Sequence, residues 1–356
     1  MKHGEAGRVD DRTVTIIDVA KQAGVSVATV SRVLSGGSAS AAARERVEAA
    51  ARELGYHRQS VEKKAGGARA LALVTSDLTN PYYSMLCAGA EQAARNAGWP
   101  LIVYQAELGR RAEDTIAEDV LELRVSGAVL VGLPVEAGTT EEIRKRLCRI
   151  AQNMPIVTIG PKVEGVSCVN ITSDLSVSVR KSIAHLVALG HRRISFIGGS
   201  GGLRSPSARR RAYFEEMERL GLPTDRLLSP EASHTPQGGE LCVNRLFSDA
   251  PEAQRPTAII AINDLVALGA LRQLHRMGLR VPEDVALIGC DNQFFTPYLD
   301  PPLTTVDLHP FDHGVSAVEE LIDNLNGGSR GAWSQIRECS LIVRESCGAL
   351  LGVRQF

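Results

Sequence analysis

Downstream of residue 70, short apolar runs recur at intervals, with amphipathic stretches between most of them. The runs are Leu71–Val74, Leu101–Tyr104, Gly127–Val131, Ile156–Ile159, Ile194–Ile197, Ala258–Ile262 and Val285–Ile288. Helical spacing of apolar positions marks Ala88–Ala97, Ser176–Leu189, Pro206–Leu220 and Leu265–Met277. Near-continuous apolar strands alternating with helices predict parallel sheets covered on both faces. Units of this number over residues 70–356 predict two such lobes, and so an α/β body.

Upstream of residue 70 the pattern changes to short helices only. Thr15 opens the first helix, with Asp18 at capping-box spacing. Val19, Ala20 and Ala23 form its apolar stripe, and Gly24 follows where the chain must turn left-handed. Ser26 caps a second helix, Val27–Leu34, in which Val30, Val33 and Leu34 face inward. Thr29, Ser31 and Arg32 are left outside, beside the small side chains of Val27 and Ala28. Ser40 caps a third helix, Ala41–Leu54, which presents Val47, Ala50, Ala51 and Leu54 on one face. Gly55 stops it, and Tyr56 closes the small core. Three helices packed this way leave the second protruding, narrow enough for a major groove about 12 Å wide.

Charge agrees with that reading. Residues 13–69 carry nine Lys/Arg against five Asp/Glu, whereas the whole chain has a net charge of −1. A basic head on a mildly acidic body is the footprint of phosphate contacts.

Composition bounds the rest. At 356 residues and 44% apolar content, the chain has enough material for two or three domains. The first dozen residues are polar, with no apolar core of a secretion signal, and no run is long enough to span a membrane. The expected compartment is the cytoplasm, with the nucleoid when DNA is bound. Seven scattered cysteines form no CxxC pair and no His/Cys cluster, so they read as reduced, buried thiols. No HExxH, GxSxG or P-loop is present, which argues against an α/β enzyme. The Gly198–Gly202 run lies between a strand and a helix, but no acidic ribose partner follows, so it is a weak nucleotide signal. No cofactor is expected.

Open sheets bind ligands beyond the C-terminal ends of their strands. The loops there hold Asp77–Tyr83, Arg204–Arg211, Asn263–Asp264 and Asp291–Asn292. Arg donates through a planar fork, Asp accepts, and Asn does both, which suits a hydroxyl-rich small molecule with Tyr82 or Tyr83 over its apolar face. Asp264, which precedes a helix, reads as a cap rather than a ligand contact. The cluster Arg204, Arg209, Arg210 and Arg211 keeps an anionic ligand, such as a sugar acid or sugar phosphate, open.

The Thr29–Leu34 run TVSRVL and the Asp18-Val19-Ala20 before the turn resemble the lactose-repressor/galactose-repressor family of bacterial transcription regulators. The resemblance extends from about Val14 to Ser346. It implies a tail at 1–12, a helix-turn-helix domain at 13–57, a hinge at 58–69 and a two-lobed, periplasmic-binding-protein-like core at 70–356. Lobe boundaries are expected at 70–171 plus 304–332, and 172–303 plus 333–356. A homodimer on a pseudo-palindromic operator is implied, most simply a repressor. Arg32 would contact guanine, Val27 and Ala28 base edges, and Thr15, Ser26, Thr29 and Ser31 phosphates, joined by Tyr56, Lys63 and Lys64. In the core, Arg211, Asn263 and Asp291 fall on the family's polar effector contacts. Tyr82 and Tyr83 fall in its first pocket loop, and His234 where it often has an aromatic. The implied effector is a sugar or sugar derivative.

The chain departs from the family at the link, where Arg58 takes a proline position and Ala65 a leucine position. That leucine wedges into a base step, and Ala65 is too small to do so, so a weaker hinge and a smaller DNA bend are expected. Gly160 and Cys290 also depart from the pocket pattern. The rival readings are a solute-binding protein without a DNA role, which would need a secretion signal and no basic head, and an α/β enzyme.

Overall fold

A computed structural model describes residues 16–34, 40–53, 69–106, 112–199, 203–224, 228–248, 251–328 and 331–350. The chain divides into two compact units, Met1–Gly66 and Gly67–Phe356. The expected roles of Thr15, Tyr56, Arg58, Lys63, Lys64 and Ala65 fall outside the described residues.

The first unit holds three helices, α1 (Ile16–Ala23), α2 (Val27–Leu34) and α3 (Ala41–Glu53). Their shared core is Val19, Ala20, Ala23, Val30, Val33 and Val47, with Ala50 and Ala51. Such small side chains let three short helices approach closely. Gly24 adopts a φ of +63°, which ends α1 and lets the Val25 N–H donate to the Ala20 carbonyl at 3.1 Å. Ser26 caps α2: its Oγ accepts from the Thr29 N–H at 3.2 Å. Ser40 does the same for α3, accepting from the Ala43 N–H at 3.3 Å.

In the second unit the first lobe runs β1 (Leu71–Thr75), α4 (Pro81–Asn96), β2 (Leu101–Gln105), α5 (Ala112–Glu122), β3 (Gly127–Val131), α6 (Leu133–Glu136), α7 (Thr140–Ala151), β4 (Ile156–Ile159) and β5 (Val169–Ser173). The second lobe follows with α8 (Leu175–Ala188), β6 (Ile194–Ile197), α9 (Arg204–Arg219), α10 (Pro236–Phe247), β7 (Ala258–Ala261), α11 (Asp264–Arg276), β8 (Ala286–Cys290) and β9 (Thr304–Asp307). The chain then returns to the first lobe for α12 (Pro310–Leu325) and β10 (Ser334–Arg337), and to the second for β11 (Ser340–Ile342).

The first sheet has the order β10-β5-β4-β3-β1-β2, all parallel. The second has the order β11-β9-β8-β7-β6, with β11 antiparallel to β9. The central apolar runs are continuous because both faces are covered, whereas edge strand β2 leaves Ile102 and Val103 exposed. Leu71 and Leu73 pack with α4 and α12 residues such as Leu86 and Val318, while Ala72 and Val74 pack with Ile116 and Leu147 of α5 and α7.

The lobe boundaries differ from those expected. β5 runs on to Ser173 in the first sheet, β9 belongs to the second sheet rather than the first, and β10 belongs to the first rather than the second. The strands at these crossings (VNITS, TTVD, SQIR, SLI) mix polar and apolar residues, so hydrophobic patterning does not mark them. The Ser173 hydroxyl donates to the Leu308 carbonyl at 3.1 Å, tying two crossings together, and Lys181 Nζ donates to the Cys339 carbonyl at 2.7 Å beside the third.

Glycines set the closest helix contacts in each lobe. A Cβ on Gly89 of α4 would lie 2.0 Å from the Phe311 carbonyl oxygen of α12. One on Gly269 of α11 would lie 1.7 Å from that of Pro236 in α10.

Candidate functional site

In the head, α2 buries Val30 and Val33, while Ser26 and Val27 are exposed and Thr29 is half-exposed. An apolar side chain 43% exposed at the start of a capped helix leaves Val27 free to meet another surface. The Thr29 hydroxyl lies 2.9 Å from the Ser26 hydroxyl, so the cap and a candidate phosphate donor are one small network. The side chains of Ala28, Ser31 and Arg32 lie outside the described residues.

In the core, a cavity of about 290 Å³ opens between the lobes, at the lower end of the range for small-ligand sites. Strand-end loops of both sheets line it. β1 leads to Ser76 and Asp77, β3 to Gly132, β7 to Asn263 and β8 to Asp291. Of the expected residues, Tyr82, Tyr83, His234, Asn263 and Asp291 all reach it.

Asn80 places the tyrosines. Its side chain caps α4, accepting from the Tyr82 N–H at 3.0 Å, and Pro81 takes the first helical position, where no N–H is needed. The two rings meet edge to face with centroids 5.3 Å apart. Burial holds both phenols well above their ordinary range, so they stay protonated and able to donate. Gly132, at φ +76°, lets the wall close in: a Cβ there would lie 2.0 Å from the Ser76 hydroxyl.

On the other wall, Asn263 spends its carbonyl on the Val266 N–H of α11 at 2.8 Å, and its amide reaches the His234 carbonyl at 3.3 Å. Asp264 is fully buried and accepts from Thr305 Oγ1 at 2.6 Å and the Gln293 N–H at 2.8 Å. It fastens the loop that carries Asp291. Asp291 itself has a φ of +113°, and its N–H donates to the Val306 carbonyl at 2.8 Å. Burial pushes its carboxyl up to about 7, against the pull of the nearby Arg209 charge.

Arg211 does not reach the cavity. It is 73% exposed and pairs with Glu215 at 3.5 Å on the outer side of α9. Arg209 lines the cavity instead, with Nη1 donating to the Ile262 carbonyl at 2.6 Å. The helix phase explains the correction: α9 buries Ala212, Tyr213 and Met217, and Arg209 stands three and four residues before the first two. The other arginines of the cluster are engaged elsewhere. Arg204 donates to carbonyls of the first lobe, and Arg210 to the carbonyls of Ser229 and Gly198 at 2.7 and 2.5 Å. The anion site that the cluster suggested is therefore not assembled. Among the described residues one guanidinium faces the cavity, together with the carboxyl groups of Asp77, Glu136 and Asp291. Packing accounts for the first two glycines of the run: Gly198 donates its N–H to the Pro230 carbonyl, and a Cβ on Gly199 would lie 2.4 Å from Ile262. Residues 200–202 lie outside the described residues.

Two ionisable lining residues escape sequence reasoning: Glu136, on the four-residue helix α6, and His313, on α12. Arg209 enters there only as a member of the arginine cluster. Burial holds Glu136 above the ordinary carboxylate range despite bonds from Ser205 and the charges of Arg209 and Arg204. His313 is 1% exposed, with Nε2 3.3 Å from the Ser173 hydroxyl and a buried Nδ1 that has no protein partner. Burial pushes it down to about 4, as it does His234, so both rings are neutral. A strand-end rule would have pointed to the segment holding Glu136. No pattern marks His313, which arrives only by the return of the chain to the first lobe. Among the described residues no cluster of three His, Cys, Asp or Glu could hold a metal.

Comparison with known proteins gives a consistent picture. Residues 15–59 match the family described as bacterial regulatory proteins, lacI family, and residues 183–347 match the periplasmic binding protein-like domain. The chain is 32% identical to the HTH-type transcriptional repressor CytR of Escherichia coli K12 over 351 residues, 96% of this chain and 98% of that one. It is 30% identical to the HTH-type transcriptional regulator MalR of Streptomyces coelicolor, covering 96% and 99%. Among solved structures, the lac repressor dimer bound to operator and the anti-inducer ONPF superposes with a TM-score of 0.73 at 28% identity, covering 94% and 99%. The complex of the transcriptional regulator CelR with cellobiose superposes with a TM-score of 0.69 at 27% identity, covering 94% and 100%.

Proposed function

The chain belongs to the lacI family of bacterial regulatory proteins, and from that premise we propose a homodimeric transcriptional repressor whose grip on its operator is set by a neutral, hydroxyl-rich effector held between the core lobes. The observation that carries the effector class is the make-up of the cavity wall: two protonated tyrosines, an Asn, a neutral His, and one Arg facing carboxyl groups. An anion entering would meet the carboxyl groups of Asp77, Glu136 and Asp291 around one guanidinium, whereas sugar hydroxyls can donate to carboxyl oxygens and accept from Arg209. A solved relative complexed with cellobiose makes neutral sugars the first probes.

Two heads of a twofold dimer would sit in successive major grooves of a pseudo-palindrome. Arg32 would read guanine, Val27 and Ala28 would touch base edges, and Ser26, Thr29 and Ser31 would serve phosphates. A change in lobe angle on effector binding need couple to the heads by only about 1–3 kcal/mol to regulate. No described helix is long and apolar enough to cross a membrane. A repressor of chromosomal DNA would act in the cytoplasm, at the nucleoid.

The test is selection of bound DNA from a random pool, repeated with neutral sugars and with sugar acids and phosphates. The expected result is one palindromic motif whose recovery changes with a neutral sugar. A motif that responds only to the anionic set would overturn the effector class. No motif at all, or turnover of an added sugar, would overturn the repressor reading.

A further inference from the structure

The lobes touch through a pair of charged groups that each satisfy backbone of the other lobe. The first turn of α9, in the second lobe, has no side-chain cap, because Leu203 stands at the cap position. Pro206 has no N–H, and the Ser207 N–H already reaches the Leu203 carbonyl at 3.3 Å. The Ser205 N–H donates across the cleft to Glu136 Oε2 at 2.8 Å, and the Ser205 hydroxyl donates to Glu136 Oε1. A carboxylate here also opposes the positive end of the helix dipole.

The reverse contact comes from Arg204. Its guanidinium donates to first-lobe carbonyls of Val135 at 3.3 Å, Pro161 at 3.0 Å and Lys162 at 2.6 Å. A backbone bridge between Ala137 and Leu203 lies next to these two contacts in sequence. Both side chains are half-buried, and charge-assisted bonds are roughly twice as strong as neutral ones. Elsewhere among the described residues the lobes meet at the three chain crossings and where Tyr82 of α4 packs against Cys290 and Val306. A hinge therefore has something to close against, and Glu136, which walls the cavity, is part of it.

We propose that Glu136 and Arg204 form a reciprocal interlobe clasp that sets the open–closed equilibrium of the core, with Glu136 serving as the cap of a helix that belongs to the opposite lobe. Opening the lobes separates the carboxylate from Ser205 and the guanidinium from its three carbonyls in one movement. The clasp thus acts as a single cooperative contact. It stands on these contacts and not on what the cavity binds.

Hydrogen–deuterium exchange of the full chain tests this without an effector. Glu136→Gln removes the charge but keeps the side-chain shape. The peptide that holds Ser205 is expected to exchange at least about tenfold faster, while peptides of β3 and β7 keep wild-type rates. Arg204→Gln attacks the clasp from the other side. It is expected to speed the same peptide and that around Pro161, and it serves alone if Glu136→Gln does not fold. Small-angle scattering should show both variants with a larger core radius than wild type. Unchanged exchange at Ser205 in the variants, or a change no greater than in the exposed control Lys145→Gln, overturns the clasp. Either result leaves the DNA-and-sugar reading to its own test.

Discussion

Arg209 and Arg211 leave α9 on different sides: one guanidinium lines the cavity between the lobes, and the other pairs with Glu215 in solvent. Two residues along a helix amount to roughly 200° of turn, so neighbours in sequence face different surroundings. Arg209→Ala is expected to weaken effector binding by about 10- to 100-fold, the usual loss for a hydrogen bond to a charged group. Arg211→Ala should stay within about twofold, because exposed pairs contribute little. Calorimetric titration with the neutral sugar found by selection decides between them, and equal losses would return Arg211 to the site.

Two buried groups give the core opposing pH dependences. His313 is pushed down to about 4 from an ordinary 6.5, so below pH 6.5 the unfolded chain takes up a proton that the folded chain refuses. Its contribution is complete above pH 6.5 and is lost as pH falls towards 4. His313→Gln should flatten that acid limb by up to about 3 kcal/mol, read from urea midpoints between pH 7 and 4. Asp291 has the opposite sign. Its carboxyl is pushed up to about 7 from 3.8, so its protonated form stabilises the fold at low pH, and that stability is lost as pH rises through 7. Asp291→Asn should therefore gain on wild type above pH 7 while losing the effector. Parallel urea curves for wild type and variants would sink both assignments.

Packing is tested by the close helix contacts. Gly269→Ala puts a methyl within 1.7 Å of the Pro236 carbonyl oxygen, and backbone must move to admit it. A loss of about 1–3 kcal/mol is expected, as for an overpacked core. Gly278, with nothing within 4 Å of a Cβ, provides the comparison, although its φ of +75° adds strain of its own. Melting temperatures of the two variants should differ, and a Gly269→Ala variant as stable as wild type would contradict the contact.

The head is tested apart from the core. Ser26→Ala removes the α2 cap and should cost about 1 kcal/mol of head stability. Arg32→Ala should weaken operator binding by about 1–3 kcal/mol and relax preference at one base pair, with effector binding intact. Operator titrations at several salt concentrations separate the two. A uniform loss across all DNA sequences would make Arg32 a phosphate contact instead.

Strongly periodic segments were legible from the chain. Residues 26–34 carry a cap and an apolar stripe that agree, and the structure places α2 at Val27–Leu34. Helix α4 starts at Pro81, well before the Ala88 that periodicity suggests, because Asn80-Pro81 is a strong start signal outweighed in the pattern by Tyr82, Tyr83 and Ser84. What stayed hidden depends on long-range placement. Three consecutive arginines conceal which one faces inward until Tyr213 sets the helix phase. His313 becomes a neighbour of the cavity only after the chain has crossed back to the first lobe, and β10 and β11 are short strands whose partners lie far away in sequence.

The returning C-terminal segment also governs the order in which the protein can be made. β10 completes the first sheet and β11 the second, so each sheet lacks an edge strand until residues 334–342 have been synthesised. The three-helix head draws its core from residues 19–51 and can fold as soon as they emerge. On the ribosome, a nascent chain would therefore carry its helical head long before either sheet is complete, and a chain cut short near residue 330 would leave both sheets without an edge strand.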